Sequence, residues 1–444
     1  MSKHLAELMG QAQWVVSEAQ KRGARGTRVH ASRNSSSSVE WRDGKLERVR
    51  ESTSMSVGVT LLVDGRYSSS STSDLRKPAL EKFLDEGISM TRAIAEDPDR
   101  VLPDPSRYAG QFAGDLKVYD EATATLSPDW LRRTVGELEA AARAAPGSEK
   151  IVSVSTTAQT EVSELALVAS NGMQGTHADS SVVLVAETSV RDVGGRKPEG
   201  WWYAACANRE ALPSLELVGR KATERALGRI GESRRPTGKY ACIVEAMTAG
   251  RLLDSLLSAL DGSNIQQRKS FLADKLDKPV GSAVLSVVDE PHIARGLGSK
   301  AFDGEGMATR PRPVFDKGVV KSFFLDTYYG RRLGKEPTSG GRTNLAWPTG
   351  RRDPEAMMRA MGKGILITGF NGGNSNTATG DFSFGIQGYW VEGGKIVAPV
   401  AEMNLAGNHL EFWKHLLEFG NDPFLYSSNR RPSLRFDKVQ FSGT

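Results

Sequence analysis

Two-residue turn signals between short apolar runs are the strongest constraint on how this chain folds. Asp43-Gly44 separates residues 39–42 from 46–49, and Asp64-Gly65 follows alternating apolar positions at 57–63. Asp-Gly is typical of a type I′ turn, because both central residues of that turn need positive φ. We therefore predict two consecutive hairpins near the N-terminus.

The second half of the chain carries further turn signals of this kind. Lys317-Gly318 lies between residues 314–315 and 319–325, and Gly393-Gly394 lies between 389–392 and 396–400. The serine runs at 35–38 and 68–71 are interpreted as loops. Additional strands are predicted from short apolar or alternating runs at 150–155, 164–169, 181–189 and 240–244.

Helical periodicity appears between these strands. Residues 2–22 carry an apolar stripe with a 3.6-residue period that ends at Gly23, which predicts a first helix. Further helices are predicted at 78–94, from Ser127-Pro128-Asp129 onward, and at 213–230, 248–261 and 408–419. The pattern predicts an α+β fold: an N-terminal hairpin-and-helix domain plus a larger, Gly-rich, mainly antiparallel β C-terminal domain with packed helices.

The length of the chain implies more than one domain. At 444 residues it exceeds the size at which a single hydrophobic core keeps growing. The charged, Pro-containing stretch 231–238 is interpreted as the main boundary. It separates an N-terminal α+β region (1–232), with room for a subdivision near 96–126, from a C-terminal domain (237–444).

Charge and hydropathy exclude several classes of protein. The formal net charge is only +5 and its basic residues are scattered, so direct nucleic-acid binding is not expected. Without a secretory signal or an apolar run of about 20 residues, the sequence predicts a cytoplasmic protein with no membrane segment. Cys206 and Cys242 lie in apolar, strand-like settings and are predicted to be buried free thiols.

A complete catalytic constellation is not visible in the sequence. None of the six histidines forms H-E-x-x-H, and His409 and His415 stand roughly 240° apart on a helix, too far to share an ion. The nucleophile elbow G-x-S-x-G and the phosphate loop are also absent. Paired basic residues such as Arg430-Arg431 are interpreted as solvated loops.

Three polar clusters in the second half are candidates for a site. Asp303 and Glu305 stand among glycines, Asp381 lies between glycine and aromatic residues, and Glu402 and Asn408 flank Ala406-Gly407. Paired carboxylates can serve acid–base chemistry, whereas the structural alternative is turn formation and hydrogen bonding to loop amides. The sequence leaves both alternatives open.

These motifs, in this order, resemble the PmbA/TldE proteins of the TldD/PmbA superfamily. The resemblance covers nearly the whole chain, including the N-terminal hairpins, and is clearest from about 290 to 422. Its segments are Gly296-Leu297, Phe302-Asp303-Gly304-Glu305-Gly306, and the runs 328–334, 379–385, 388–394 and 402–408.

The resemblance implies a subunit of a heterodimeric metalloprotease that trims unfolded or modified peptides. In the TldD partner, a helix with H-E-x-x-x-H and a cysteine near the C-terminus hold the metal. Here Asp254 and Ala259 stand at the two histidine positions, Ser255 stands at the glutamate position, and no cysteine follows Cys242. The resemblance therefore predicts a TldE-type subunit with no metal, cofactor or catalytic residue of its own, and zinc in the TldD-like partner.

Three functions remain to be separated. The first is a non-catalytic TldE-like subunit that completes the chamber of a heterodimer and contacts unstructured peptide, with a homodimer left open. The second is a peptide- or protein-binding regulator that acts without proteolysis. The third is a self-sufficient hydrolase that uses Asp303, Glu305 and Asp381. For the first, the candidate chamber-lining residues are Asp303, Glu305, Asp381, Phe382, Glu402 and Asn408.

Overall fold

Three sheets organise the computed structural model, which describes residues 3–443. The first sheet is built from residues 26–206, and the other two are built from residues 238–442. Most strand pairs are antiparallel and helices pack against the sheets, so the predicted α+β class is confirmed. Within the described residues, no helix is long and apolar enough to cross a membrane.

The first sheet contains both predicted Asp-Gly hairpins. Asp43 and Gly44 have φ values of 48° and 77°, and Asp64 and Gly65 have values of 50° and 75°, as type I′ turns require. The two hairpins share their middle strand. The sheet has the order β3-β2-β1-β4-β5-β6, with β1 (Gly26–Arg42), β2 (Lys45–Val63), β3 (Arg66–Thr72), β4 (Ile151–Ala169), β5 (Gln174–Val190) and β6 (Glu199–Cys206).

The interpretation of the serine runs as loops is wrong. Residues 35–38 lie inside β1 and residues 68–71 lie inside β3, and the strands predicted at 150–155 and 164–169 are the two ends of β4. Serine is accepted here because hydroxyls hydrogen-bond across the strands, as Ser35 does with Thr53 at 3.2 Å. Small polar side chains suit these strand positions, which are all partly or fully exposed.

Helices cover one face of the first sheet at its two ends. Val29 packs in the core under α1 and α2, and Val39 packs in the core under α4 and α5. Both valines are on the same face, because they are ten residues apart along β1 and side chains alternate. The helices are α1 (Lys3–Lys21), α2 (Lys77–Ala93), α3 (Glu121–Ala124), α4 (Pro128–Arg143, capped by Ser127) and α5 (Leu215–Leu227), as predicted for 78–94, 127 onward and 213–230. The first predicted helix is also confirmed, although Ser2 lies outside the described residues.

One edge of the first sheet is only partly covered. β3 pairs with residues 57–63 of β2. The remaining residues 45–56, here called the β2 free edge, have no strand on that side within the part of the chain described. Its apolar side chains Leu46, Val49 and Met55 are 39%, 48% and 37% exposed. This segment is therefore an extended strand with both faces and one edge open to solvent.

The C-terminal half contains one closed sheet and one small sheet. Its strands are β7 (Gly238–Val244), β8 (Val287–Glu290), β9 (Arg312–Asp316), β10 (Val319–Val320), β11 (Asn344–Ala346), β12 (Gly364–Ser375), β13 (Asp381–Glu392), β14 (Lys395–Asn408), β15 (Leu416–Phe419), β16 (Asn429–Arg430) and β17 (Leu434–Ser442). The small sheet has the order β10-β9-β8-β11-β16. The larger one has the order β14-β13-β12-β7-β17-β15 and closes where Asn404 and Leu405 pair with Ser442 and Phe441.

Two helix predictions in this half need correction. The helices present are α6 (Gly250–Ser258), α7 (Gly262–Gln266), α8 (Thr327–Leu333), α9 (Pro354–Met361) and α10 (His409–Phe412). The helix predicted at 248–261 is the shorter α6. The helix predicted at 408–419 is wrong: α10 ends at Phe412, and residues 416–419 form β15. Leu416 and Phe419 pair with Phe436 and Leu434, so sheet pairing outweighs the local helical pattern.

Candidate functional site

The Asp303–Glu305 loop ties the two halves of the molecule together. Glu305 forms an ion pair with Arg28 of β1 at 3.1 Å and accepts hydrogen bonds from the Thr327 amide and hydroxyl, both at 2.7 Å. Asp303 accepts hydrogen bonds from the Glu305 and Met307 amides, and burial raises the pKa of its carboxyl group. These contacts bind the carboxylates to the loop and to the N-terminal sheet.

Asp381 and Asn408 come together at the end of the β13–β14 hairpin. They are partners in the strand register, and the Asn408 side-chain amide donates to Asp381 at 2.9 Å. This bond, together with the Thr379 hydroxyl, lowers the pKa of Asp381. Asn408 also caps α10 by accepting from the Leu410 amide.

The other two candidates on this hairpin do not join that pair. Phe382 is a core residue that packs against Phe412 and His409. Its side chain is therefore not available on an open surface. Glu402 lies further back along β14, where it is exposed and paired with Arg234 at 2.9 Å. No hydrogen bond or ion pair links Asp381 to Asp303 or Glu305 among the described residues.

The three positions that correspond to the metal-binding motif of TldD lie on or beside α6. Asp254 faces a cavity, Ser255 donates its hydroxyl to the Arg251 carbonyl at 3.4 Å, and Ala259 is fully buried just after the helix. The leucines of α6 fix this orientation because Leu252, Leu253, Leu256 and Leu257 are buried in the C-terminal core. The opposite face of the helix, which carries Asp254, must therefore point away from the core.

The cavity beside α6, here called the α6 pocket, has a volume of about 670 Å³. It lies where the first half of the chain meets the second. Trp201 and Tyr203 of β6 form one wall, and the rest is formed by residues of α5, α6, β12 and β13 and of the segments 247–248 and 427–431. Within it, Arg225 is neutralised by an ion pair with Glu245 at 2.7 Å.

Two further arginines of the α6 pocket lack such a partner. Arg431 is only 6% exposed, and its guanidinium donates to the Met247 and Asn429 carbonyls at 2.6 and 2.9 Å. Arg251 donates to the Gly373 carbonyl at 3.1 Å. Among residues 3–443, neither guanidinium has a carboxylate within ion-pair distance. The interpretation of Arg430-Arg431 as a solvated loop is therefore wrong for Arg431.

Sequence reasoning missed the residues that build this pocket. Arg431 becomes buried because the chain returns from residue 420 to the start of α6, a contact between segments far apart in sequence. A Cβ at Gly250 would lie 2.8 Å from the Arg431 guanidinium, so the glycine leaves the space that the arginine occupies. In the sequence, Gly250-Arg251 at the start of α6 could indicate a basic site there, but this dipeptide carries no information about residue 431.

The residues that line the α6 pocket do not suit a zinc ion. Among the described residues, Asp254 is the only acidic side chain lining the α6 pocket, and the guanidinium groups of Arg251 and Arg431 outnumber it and would repel a divalent cation there. Burial raises the pKa of Asp254, although Arg342 and Arg431 oppose the shift. Within the described chain, no three His, Cys, Asp or Glu side chains converge as a metal-binding group.

These features define a two-part α+β protein that has a closed, mostly antiparallel sheet and an arginine-lined pocket at the junction of its halves. Three family models match in order: PmbA/TldA metallopeptidase domain 1 over 29–91, the central domain over 121–230 and the C-terminal domain over 237–443. The chain belongs to the PmbA/TldE family of PmbA/TldD metallopeptidase-type proteins.

Individual relatives agree with this assignment. A solved structure from Bacteroides thetaiotaomicron, a proposed modulator of DNA gyrase, is 40% identical, with 98% of each chain covered and a TM-score of 0.93. The metalloprotease PmbA of Escherichia coli O157:H7 is 28% identical over 94% of this chain and 92% of its own length. TldE of Thermococcus kodakarensis has the same fold, with a TM-score of 0.85 at 17% identity over 98% of this chain and 100% of that one.

Proposed function

We propose that this chain is a TldE-like subunit without a metal centre of its own, which works in the cytoplasm with a TldD-like metalloprotease subunit. In this role it completes a chamber in which unstructured or modified peptides are cleaved. The partner supplies zinc and the activated water, whereas this chain binds and orients the peptide. Orientation of that kind contributes to rate, because misplacement by about 1 Å can cost on the order of 10²-fold.

The composition of the α6 pocket is the observation that carries the proposal. A catalytic zinc site needs three protein ligands and a polarised water. On α6 only Asp254 is a ligand type, and Arg251 precedes it by less than one turn. The cationic wall of the α6 pocket disfavours a metal ion but can still bind groups of a peptide. This composition supports a family member that has the shared fold without the metal ligands.

The β2 free edge supports association with a partner subunit. An uncovered strand is a template for pairing with another chain, and proteins normally protect such edges. Leu46, Val49 and Met55 add apolar surface to this edge. By contrast, the aromatic residues 382, 384 and 390 of the C-terminal half are buried in the core. These observations support a contact with the TldD-like partner through the N-terminal sheet.

Reconstitution with the TldD-like protein of the same host tests the proposal. Cleavage of an unstructured peptide is compared for the partner alone, this chain alone, both together, and both with Asp381→Ala. We expect cleavage only when both chains are present. Asp381→Ala should reduce the rate, because in this proposal the Asp381–Asn408 pair shapes the wall of the chamber. Cleavage by this chain alone would refute the proposal, and full activity of the partner alone would instead favour the binding regulator.

A matched pair of variants tests the contact surface. Val49→Lys places a charge on the β2 free edge, and Val193→Lys changes an equally apolar residue that is 83% exposed elsewhere. We expect Val49→Lys to weaken association with the partner at least tenfold and Val193→Lys to leave it unchanged. Sedimentation analysis of mixtures measures both, and equal association by the two variants would rule out this edge.

A further inference from the structure

The α6 pocket contains an unmatched positive charge. Among the described residues, Arg251 and Arg431 line it without ion-pair partners, Arg225 is matched by Glu245, and Asp254 is the one acid left to offset two cations. Burial lowers the pKa of Arg431, as expected for a guanidinium that lacks a full counterion. Arg431 is the buried one of the two, and an uncompensated buried charge is destabilising, so a site of this kind is suited to an anion supplied from outside.

Two polar side-chain atoms of the same pocket are also left without hydrogen-bond partners among the described residues. The Nε of Arg431 has no hydrogen-bond acceptor among the described residues, and the side-chain oxygen of Gln387 has no donor. Buried polar groups are normally satisfied, and each exception calls for an explanation. An inorganic anion can supply acceptors but no N–H donor. A peptide end supplies both an anionic group and backbone N–H groups.

The aromatic wall adds a third element. Trp201 is 45% exposed and stacks near Tyr203, with ring centroids 5.7 Å apart. Exposed aromatic surface beside a polar cluster is typical of a site that holds an apolar side chain next to a fixed charged group. Such a pocket is large enough for one or two residues of a peptide, because its volume is about 670 Å³.

We infer that the α6 pocket binds the free C-terminal carboxylate of a peptide, with Arg251 and Arg431 beside the carboxylate and Trp201 and Tyr203 against the last side chain. Arginine suits this role because its planar guanidinium matches a carboxylate with two parallel hydrogen bonds. The inference rests on the proposed peptide-handling function. In this chain, an anion site then lies beside α6, where the resemblance to TldD would place the metal centre.

Calorimetry on the full chain alone tests this inference without requiring proteolysis. The probes are an unstructured decapeptide that ends in leucine with a free carboxylate and the same decapeptide with a C-terminal amide. We expect the acid to bind at least tenfold more tightly than the amide. Equal binding of both, or equally tight binding of inorganic phosphate in place of the peptide, would overturn the inference.

Variants connect the binding to the pocket. Arg251→Gln and Arg431→Lys should each remove most of the preference for the acid, and Arg132→Gln, an exposed arginine on α4, should preserve it. If Arg431→Lys lowers the melting temperature too far to be used, Arg251→Gln decides alone. A preference that survives Arg251→Gln would overturn the inference. Loss of cleavage in the reconstituted pair with intact carboxylate binding would instead count against the proposed function.

Discussion

Removing the Glu305 carboxylate should loosen the contact between the two halves of the molecule. Glu305 and Arg28 are 15% and 13% exposed, and Glu305 also accepts two hydrogen bonds from Thr327. Glu305→Ala therefore removes three charged hydrogen bonds and leaves Arg28 without its counterion. Each such bond contributes about 1.5–3 kcal/mol, but water can enter and relax the site, so we expect a net loss of about 3 kcal/mol.

This loss should be visible as a shift in melting temperature. Unfolding entropy near 2.1 cal/mol/K per residue gives about 0.4 kcal/mol/K for a C-terminal domain of about 200 residues, so 3 kcal/mol corresponds to roughly 7 °C. Calorimetry of Glu305→Ala, Arg28→Ala and the double variant measures the shift and the coupling between the two residues. Glu402→Ala is the matched control, because its exposed pair with Arg234 should contribute less than about 1 kcal/mol.

One result would refute the structural role of Glu305. If Glu305→Ala left the melting temperature within about 1 °C of the wild type and abolished peptide cleavage by the reconstituted pair, the carboxylate would have to act in chemistry. That outcome would revive the hypothesis of a hydrolase that uses Asp303, Glu305 and Asp381. We expect instead a large thermal shift, with the remaining activity following the folded fraction.

Three further outcomes follow from buried groups. Burial lowers the pKa of His409 to about 4, so the neutral side chain stabilises the fold fully above pH 6.5. As the pH falls to 4, the free energy of unfolding should decrease by about 3 kcal/mol. Urea titrations measure this decrease, which His409→Gln should lack. Gly250→Ala should lower the free energy of unfolding by about 1–3 kcal/mol, because its Cβ meets Arg431. Gly10→Ala on α1 meets nothing within 4 Å and should raise the free energy of unfolding by about 0.5–1 kcal/mol, as thermal unfolding can show. Burial raises the pKa of Cys242, so iodoacetamide at pH 8 should modify it only in denaturant, as peptide mass analysis can show.

The elements that could be predicted from sequence are those set by local chemistry. Asp43-Gly44 and Asp64-Gly65 dictate their turns whatever surrounds them, and Ser127 caps α4 by accepting from the Trp130 amide. Where tertiary contacts decide the secondary structure, the prediction from local sequence is wrong. The serines at 35–38 are held in β1 by strands on both sides, and Leu416 is drawn into β15 by Phe436.

The candidate site was predictable to a similar extent. Asp381 and Asn408 belong to two separate candidate clusters in the sequence and lie together in the fold, because the Gly393-Gly394 turn fixes the register between their strands. The α6 pocket was not predictable as a unit. Its two unpaired arginines are separated by 180 positions, and only the completed fold brings Arg431 next to Arg251.

The closure of the C-terminal sheet has a consequence for protein synthesis. β7 opens this half of the chain, yet one of its two neighbours is β17, whose last residue is Ser442. The N-terminal sheet is complete at Cys206, so 442 − 206 = 236 further residues must be made before the second sheet can close. At usual translation rates this takes roughly 10–50 s, and from the time α6 is made until the end of that interval its leucines have no finished core. A nascent chain should therefore need chaperone protection in that interval, and a premature stop within β17 should yield a product that is degraded although its first half is folded.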